Sequence, residues 1–169
     1  MSNSPFAGMR EASREHNSNW FKPGAYLCRI DEVKLFQKKS GENVFKAEMT
    51  VVQVIDDNGG SANRLGEQIG HLIPSGGFKF LERVKGFIAC ATGSEDHEVD
   101  EGATEYSCGD AQPLAGFVLQ VSARDVPTKA WTPEEPKFFT HINYEARIPD
   151  ADVPALLGEN FERFFPSQK

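Results

Sequence analysis

Two long segments in which apolar and polar residues alternate, 25–36 and 44–55, constrain the fold of this chain more than any other feature. In the first segment the alternation slips by one residue at Glu32. Ile30 is the last residue of the apolar face before this slip, and Val33 is the first one after it. Alternation with a period of two is typical of a strand with one buried face. A one-residue slip is what a β-bulge produces, and bulges bend a strand. We therefore predict two long strands, the first of them bent.

The remaining elements follow in an order that indicates the architecture. An extended piece at 68–73 is followed by a segment at 78–91 with apolar residues at helical spacing, which Gly93 ends. Two further strands are predicted at 117–123 and 138–144. The order is strand, strand, strand, helix, strand, strand, which is that of the five-stranded OB barrel. We predict a mainly β fold: an OB-type Greek-key barrel with one helix between strands three and four.

The domain organisation follows from where these elements begin and end. A chain of 169 residues is long enough for one domain with a substantial core. We predict an N-terminal arm at 1–21, an OB-fold domain at 22–148 with an acidic insertion at 94–110, and a C-terminal extension at 149–169. Phe21, at the end of the arm, is expected to pack on the outside of the barrel.

Charge is distributed unevenly along the chain, whose formal net charge is −7. The segment 22–46 holds six basic and three acidic residues, whereas 95–110 holds seven acidic residues and no lysine or arginine. The acidic run is interpreted as a solvated loop, as an intramolecular competitor for the basic loops, or as a docking segment for partner proteins. Because the acidity is concentrated in one segment, the net charge does not exclude nucleic-acid binding.

Cysteine usage and the N-terminal sequence indicate where the protein works. Cys28, Cys90 and Cys108 are odd in number and widely spaced, which argues against a disulfide framework. The first fourteen residues lack the apolar core of a secretory signal, and no stretch has the roughly 18 apolar residues of a membrane helix. We expect a cytoplasmic protein with no membrane partner.

No residue pattern in the sequence indicates catalysis. There is no phosphate-binding G-x-x-x-x-G-K-S/T loop and no G-x-S-x-G nucleophile elbow. Cys90, His97 and Cys108 are loosely spaced and include no C-x-x-C pair, which is weak support for a metal site. We expect no enzymatic activity, no bound metal and no cofactor.

Two loops would flank the binding face of an OB barrel: the loop between strands one and two and the loop between strands four and five. In both of them, basic and aromatic residues are interleaved. Cations follow a nucleic-acid backbone and aromatic rings stack on bases, so this composition suits a single-strand binder. Phe138 and Phe139 are adjacent, so we expect one of them to face the core and only the other to face the ligand. The alternative is that the lysines only solvate turns and that Trp131 anchors packing. The candidate nucleic-acid-binding residues are Lys34, Phe36, Lys38, Lys39, Lys46, Lys129, Trp131, Lys137, Phe139 and His141.

Five stretches carry a resemblance to a known group of proteins: PGAY at 23–26, RIDEVK at 29–34, KSGEN at 39–43, VFKAEMTV at 44–51 and VKGFIACATG at 84–93. In this pattern the chain resembles phage-encoded OB-fold single-stranded-DNA-binding proteins, strongly in its first half and loosely in its last strands. The resemblance implies strand coating during phage DNA replication or recombination, in the host cytoplasm. Many members of that group end in an acidic tail, whereas the acidic element here is internal.

The resulting functional hypothesis is non-sequence-specific binding of single-stranded DNA, which protects or presents strands. Replication or recombination proteins are candidate partners of the acidic run 95–110, and homo-oligomerisation stays open. Two alternatives remain at this point: a β-barrel protein that decorates or cements a phage capsid, and an acidic inhibitor of a host protein.

Overall fold

The computed structural model describes residues 20–166, which form one five-stranded antiparallel sheet and a few helices. The expectation of a mainly β fold is confirmed. The strand order across the sheet is β3-β2-β1-β4-β5. The strands are β1 (Gly24–Gln37), β2 (Asn43–Asp56), β3 (Gln68–Pro74), β4 (Val118–Pro127) and β5 (Phe138–Ile148).

The sheet is open and does not close into a barrel through backbone hydrogen bonds between its described strands. Strands β3 and β5 are its two edges, and the hydrogen-bonded pairs run only from β3 through β2, β1 and β4 to β5. Helix α1 (Phe80–Thr92) lies against both edge strands and fills the space between them. The Phe87 ring of this helix lies 4.9 Å from Tyr144 on β5 and 5.6 Å from Phe45 on β2.

Strand β1 carries the bulge that the alternation predicted. Its register with β2 shifts between Ile30 and Glu32, so Ile30 pairs with Met49 and Glu32 with Glu48. Strand β4 pairs with β1 only along Gly24–Arg29. Beyond the bulge, the edge of β1 that β4 does not cover is hydrogen-bonded by one side chain. The Val33 N–H donates to the Gln112 side-chain oxygen, and the Gln112 side-chain nitrogen donates to the Val33 carbonyl, each at 2.8 Å. The strand therefore bends where it leaves β4.

Helix α1 ends where the sequence indicated. Gly93 adopts a left-handed conformation (φ 71°) and donates its N–H to the carbonyl of Ala89. The apolar face of the helix buries Val84, Phe87 and Ile88 against the sheet. This face supplies the hydrophobic burial that holds the two sheet edges together.

The acidic run is helical, and its interpretation as a solvated loop is wrong. It forms a 3-10 turn at Asp96–Glu98 and helix α2 (Glu101–Ser107). Asp100 caps α2 by accepting the N–H of Ala103 at 2.8 Å. Val99 is buried in the core. Burial of Val99 thus attaches the acidic run to the core, and the Asp100 carboxylate caps the first turn of α2.

The C-terminal segment packs on the outer face of the sheet through helices α3 (Val153–Leu157) and α4 (Phe161–Phe164). A second hydrophobic cluster joins these helices to β1, β2 and β4; its buried members are Leu27, Val52, Val118, Val153, Leu157 and Phe164. Arg29 on β1 fastens the contact: its guanidinium donates to the Phe164 carbonyl and pairs with Asp31 at 2.8 Å.

Phe21 is a core residue, and the expectation that it packs outside the barrel is wrong. It is 4% exposed, and its ring lies 6.0 Å from Tyr26 and 6.4 Å from His71. The preceding Trp20 is exposed.

No helix within residues 20–166 is both long enough and apolar enough to cross a membrane.

A buried polar contact links the two edge strands where no backbone hydrogen bonds do. His71 on β3 bonds the Tyr144 hydroxyl on β5 through Nδ1, and its Nε2 lies 3.4 Å from the Arg83 guanidinium on α1. A guanidinium can only donate, so Nε2 accepts and the neutral ring carries its proton on Nδ1. Burial, together with Arg83, lowers the pKa of His71 to about 3.

This contact predicts an acid-sensitive fold. Because the pKa of His71 is lowered on folding, the unfolded chain takes up a proton on this ring from about pH 6.5 downward while the folded chain does not. The contribution of the neutral His71 ring to the free energy of unfolding is fully present above that pH and is lost as the pH falls towards 3. From pH 7 to pH 5 the loss amounts to about 2 kcal/mol of unfolding free energy.

The measurement is urea unfolding at both pH values for the native chain, for His71→Gln, and for His141→Gln as a control at an exposed histidine. The native chain and His141→Gln should both lose about 2 kcal/mol more than His71→Gln does. Equal losses of unfolding free energy in all three proteins would show that the pKa of His71 does not differ between the folded and the unfolded chain.

Candidate nucleic-acid interface

Strands β4 and β5 continue past the end of the sheet as a two-stranded ribbon, residues 124–141. Gly24, the first residue of β1, pairs with Ala123, so within residues 20–166 the pairs from Arg124–His141 to Pro127–Phe138 have no third strand beside them. This stretch, with the loop that connects it, is the β4–β5 ribbon. It places side chains in solvent on both of its faces.

The β4–β5 ribbon exposes three large aromatic side chains. Trp131 is 41% exposed, Phe138 53% and Phe139 50%, and none of them belongs to either hydrophobic cluster. The expectation that one of the two adjacent phenylalanines faces the core is wrong, because the core ends before the ribbon begins. Exposed aromatic rings are unusual on a folded surface and indicate a binding site when several occur together.

The loop of the ribbon is ordered by its own backbone hydrogen bonds. Thr128 N–H donates to the Lys137 carbonyl at 2.9 Å, and Trp131 N–H donates to the Thr128 carbonyl at 3.0 Å. Thr132 and Glu135 exchange a further pair of bonds at 3.2–3.3 Å. The Trp131 backbone is thereby fixed without the indole being buried.

Register places four residues on one face of the ribbon. Phe139 pairs with Val126 and His141 pairs with Arg124, so these two cross-strand pairs are side by side on the same face. Phe138 and Thr140 lie on the opposite face. This face of the ribbon therefore carries Phe139, Val126, His141 and the Arg124 guanidinium together.

The first predicted group lies around the β1–β2 hairpin. Lys34 and Lys46 are cross-strand partners, and Glu32 and Glu48 form the next pair along the same face. Lys34 contacts Glu32 at 3.3 Å and Lys46 contacts Glu48 at 2.7 Å. These four side chains form a charge quartet with no net charge.

Other predicted cations are also paired. Lys38 in the β1–β2 turn lies 3.3 Å from Glu42, and Lys137 lies 3.5 Å from Glu135. Within residues 20–166, Lys39, Lys129 and Arg124 have no carboxylate at ion-pair distance. Of these three, Lys129 and Arg124 lie on the ribbon, whereas Lys39 lies in the β1–β2 turn.

The ten predicted residues thus fall into two groups at opposite ends of β1. Lys34, Phe36, Lys38, Lys39 and Lys46 surround the turn after Gln37, whereas Lys129, Trp131, Lys137, Phe139 and His141 belong to the ribbon beyond Gly24. Phe36 is half-buried beside Val44, its cross-strand partner. The ribbon is the group with exposed aromatics.

One exposed residue of the ribbon is not among the ten candidates: Arg124, on the face of Phe139. Phe138, between which and Phe139 the sequence does not decide, is as exposed as its neighbour. Strand β4 was expected to end at 123, because the next four residues do not alternate. They do not alternate since neither face of the ribbon is buried, so apolar periodicity carries no signal there.

The cysteine side chains lie in or beside the hydrophobic core. The three cysteines are free; Cys90 and Cys108 are half-buried beside the core, whereas His97 is exposed. Burial raises the pKa of the Cys90 thiol to about 11 and also raises that of Cys108. In this described part of the chain, no three potential metal ligands of the His, Cys, Asp or Glu type cluster together.

Comparison of the chain with protein-family models and with curated protein sequences finds no match.

Proposed function

We propose that this chain binds single-stranded DNA without sequence specificity and that its fold is of the OB type. The strand order β3-β2-β1-β4-β5, with α1 between β3 and β4, supports the fold assignment. An OB fold is a five-stranded, partly open Greek-key barrel, so an open edge between β3 and β5 is compatible with it. The resemblance to phage single-stranded-DNA-binding proteins points in the same direction.

The observation that carries the functional proposal is the exposed aromatic surface of the β4–β5 ribbon. Stacking on an aromatic ring contributes about 1–3 kcal/mol per base and accepts any base, because every base has a π face. The rings of Trp131, Phe138 and Phe139 are exposed and are not part of the hydrophobic core. Backbone hydrogen bonds hold the Trp131 loop in place before binding, which lowers the entropy cost of ordering it.

Charge has a smaller role in this proposal than the sequence suggested. Lys34, Lys38, Lys46 and Lys137 each have a glutamate partner, which offsets their attraction for phosphates. On the ribbon, Lys129 and Arg124 remain to contact the nucleic-acid backbone, whereas Lys39 lies in the β1–β2 turn at the other end of β1. Binding is therefore driven mainly by stacking, with about two phosphate contacts.

In its biological setting, the protein coats single strands during phage DNA replication or recombination, in the cytoplasm of the host. It protects these strands or presents them to other proteins. The chain carries out no chemical step on the DNA, and it needs no cofactor for binding.

Substitution in the ribbon tests this proposal. Trp131→Ala and Phe139→Ala should each weaken binding of a fluorescein-labelled oligo-dT about tenfold, because each removes one stacking platform. Fluorescence anisotropy gives the dissociation constants. Phe78→Ala is the matched control, since Phe78 is an exposed phenylalanine outside the ribbon, at 76% exposure.

All three variants should keep the native melting temperature within a few degrees, since these rings lie outside the core. Native affinity in both ribbon variants would contradict the assignment of the site. Absence of oligo-dT binding by the native chain at micromolar protein in low salt would contradict the function itself.

Salt dependence tests the division between stacking and charge. For a single strand, log K falls with log salt concentration at a slope of about −0.7 per phosphate contact, so two contacts predict about −1.4. Lys129→Ala should make the slope less steep by about 0.7, whereas Lys38→Ala, which removes a paired lysine, should change it less. Anisotropy titrations at several salt concentrations measure the slopes; a native slope steeper than about −5 would show that charge dominates.

A further inference from the structure

A groove of about 580 Å³ separates helices α1 and α2 on the side of the molecule that carries the acidic run. Its walls are mostly apolar. Val84 and Val99 are buried at its floor, whereas Leu35 and Leu81 are 52% and 74% exposed beside it. Two exposed leucines at one groove form an apolar surface that folding alone does not explain.

The rim of this groove is acidic. Asp100, Glu101 and Glu105 line it together with one lysine, Lys85. Glu101 and Glu105 lie four residues apart on α2, a spacing at which like charges repel and destabilise a helix. Within residues 20–166, no lysine or arginine forms an ion pair with the acidic run. The rim therefore presents negative charge that this part of the chain does not neutralise.

We propose that this acidic groove binds a basic amphipathic segment of another protein. The leucine or valine face of such a segment enters the groove between Leu35 and Leu81, and its lysines or arginines meet Glu101 and Glu105. Apolar anchors in a groove with charges at the rim are the usual features of helix-in-groove recognition. Charge argues against nucleic acid and against a second copy of this acidic chain as the occupant. The proposal does not rest on DNA binding.

The test uses the full chain and a fluorescein-labelled helical peptide of about fourteen residues, with leucines at i, i+3, i+4 and i+7 and lysines elsewhere. A scrambled peptide of the same composition lacks the apolar face and is the peptide control. Leu81→Ser removes an apolar wall, and Glu101→Gln with Glu105→Gln removes the rim charge. Both changes are at exposed positions, so the fold should persist, as circular dichroism will verify.

Matched control variants lie on the C-terminal helices. Leu156→Ser replaces another exposed leucine, and Glu159→Gln with Glu162→Gln replaces another exposed pair of glutamates. These variants have the same changes in hydrophobicity and net charge as the groove variants. They separate binding at the groove from adhesion of a cationic peptide to an acidic protein.

We expect a dissociation constant of about 10–100 μM for the helical peptide, weakened about tenfold by each groove variant and less than about twofold by each control. The scrambled peptide should bind at least about tenfold more weakly than the helical one. Equal binding by groove and control variants, equal binding of the two peptides, or no binding at about 1 mM would each overturn the proposal. Oligo-dT binding is measured separately, so failure here leaves the proposed DNA-binding function standing.

Discussion

The packing of Phe87, Tyr144 and His71 between the two edge strands is the interaction on which the rest of the structure depends. Strands β3 and β5 share no backbone hydrogen bonds, so side chains must hold the open sides of the sheet together. Helix α1 supplies Phe87 and Arg83, and the buried His71–Tyr144 contact joins the edges directly. With β5 held in this way at Tyr144, its first residues can leave the sheet as the β4–β5 ribbon. The position of the exposed aromatics thus follows from how side chains hold the two edge strands together.

Much of the fold could be predicted because burial leaves a periodic trace. The slip at Glu32 located the bulge in β1, and Gly93 located the end of α1, since each reflects a backbone requirement visible in single residues. The acidic run gave no such trace: α2 has seven residues, and its packing depends on the neighbouring Val99. Phe21 was misplaced because its partners, Tyr26 and His71, meet it only in the tertiary structure. For the proposed site, residue types made Trp131 and Phe139 candidates, but the pairing of Lys34, Lys38 and Lys46 with glutamates depends on geometry.

The surface has two parts with different chemistry. The β4–β5 ribbon offers aromatic rings with a few free cations, and the groove between α1 and α2 offers leucines with carboxylates. A phosphate backbone is attracted to the first and repelled by the second. This separation makes the proposed DNA binding compatible with a net charge of −7: the acidity is concentrated in a helical segment that forms no ion pair with the basic loops within residues 20–166.

Single-stranded DNA binding through the β4–β5 ribbon is the central claim, and photo-crosslinking tests it most directly. Oligo-dT containing bromodeoxyuridine is irradiated with the native chain, and the linked peptides are mapped by mass spectrometry. The exposed rings predict crosslinks concentrated at Trp131, Phe138 and Phe139, with none in 94–110. Crosslinks that fall mainly outside the ribbon, or no crosslinks under conditions where the oligonucleotide is bound, would contradict the claim.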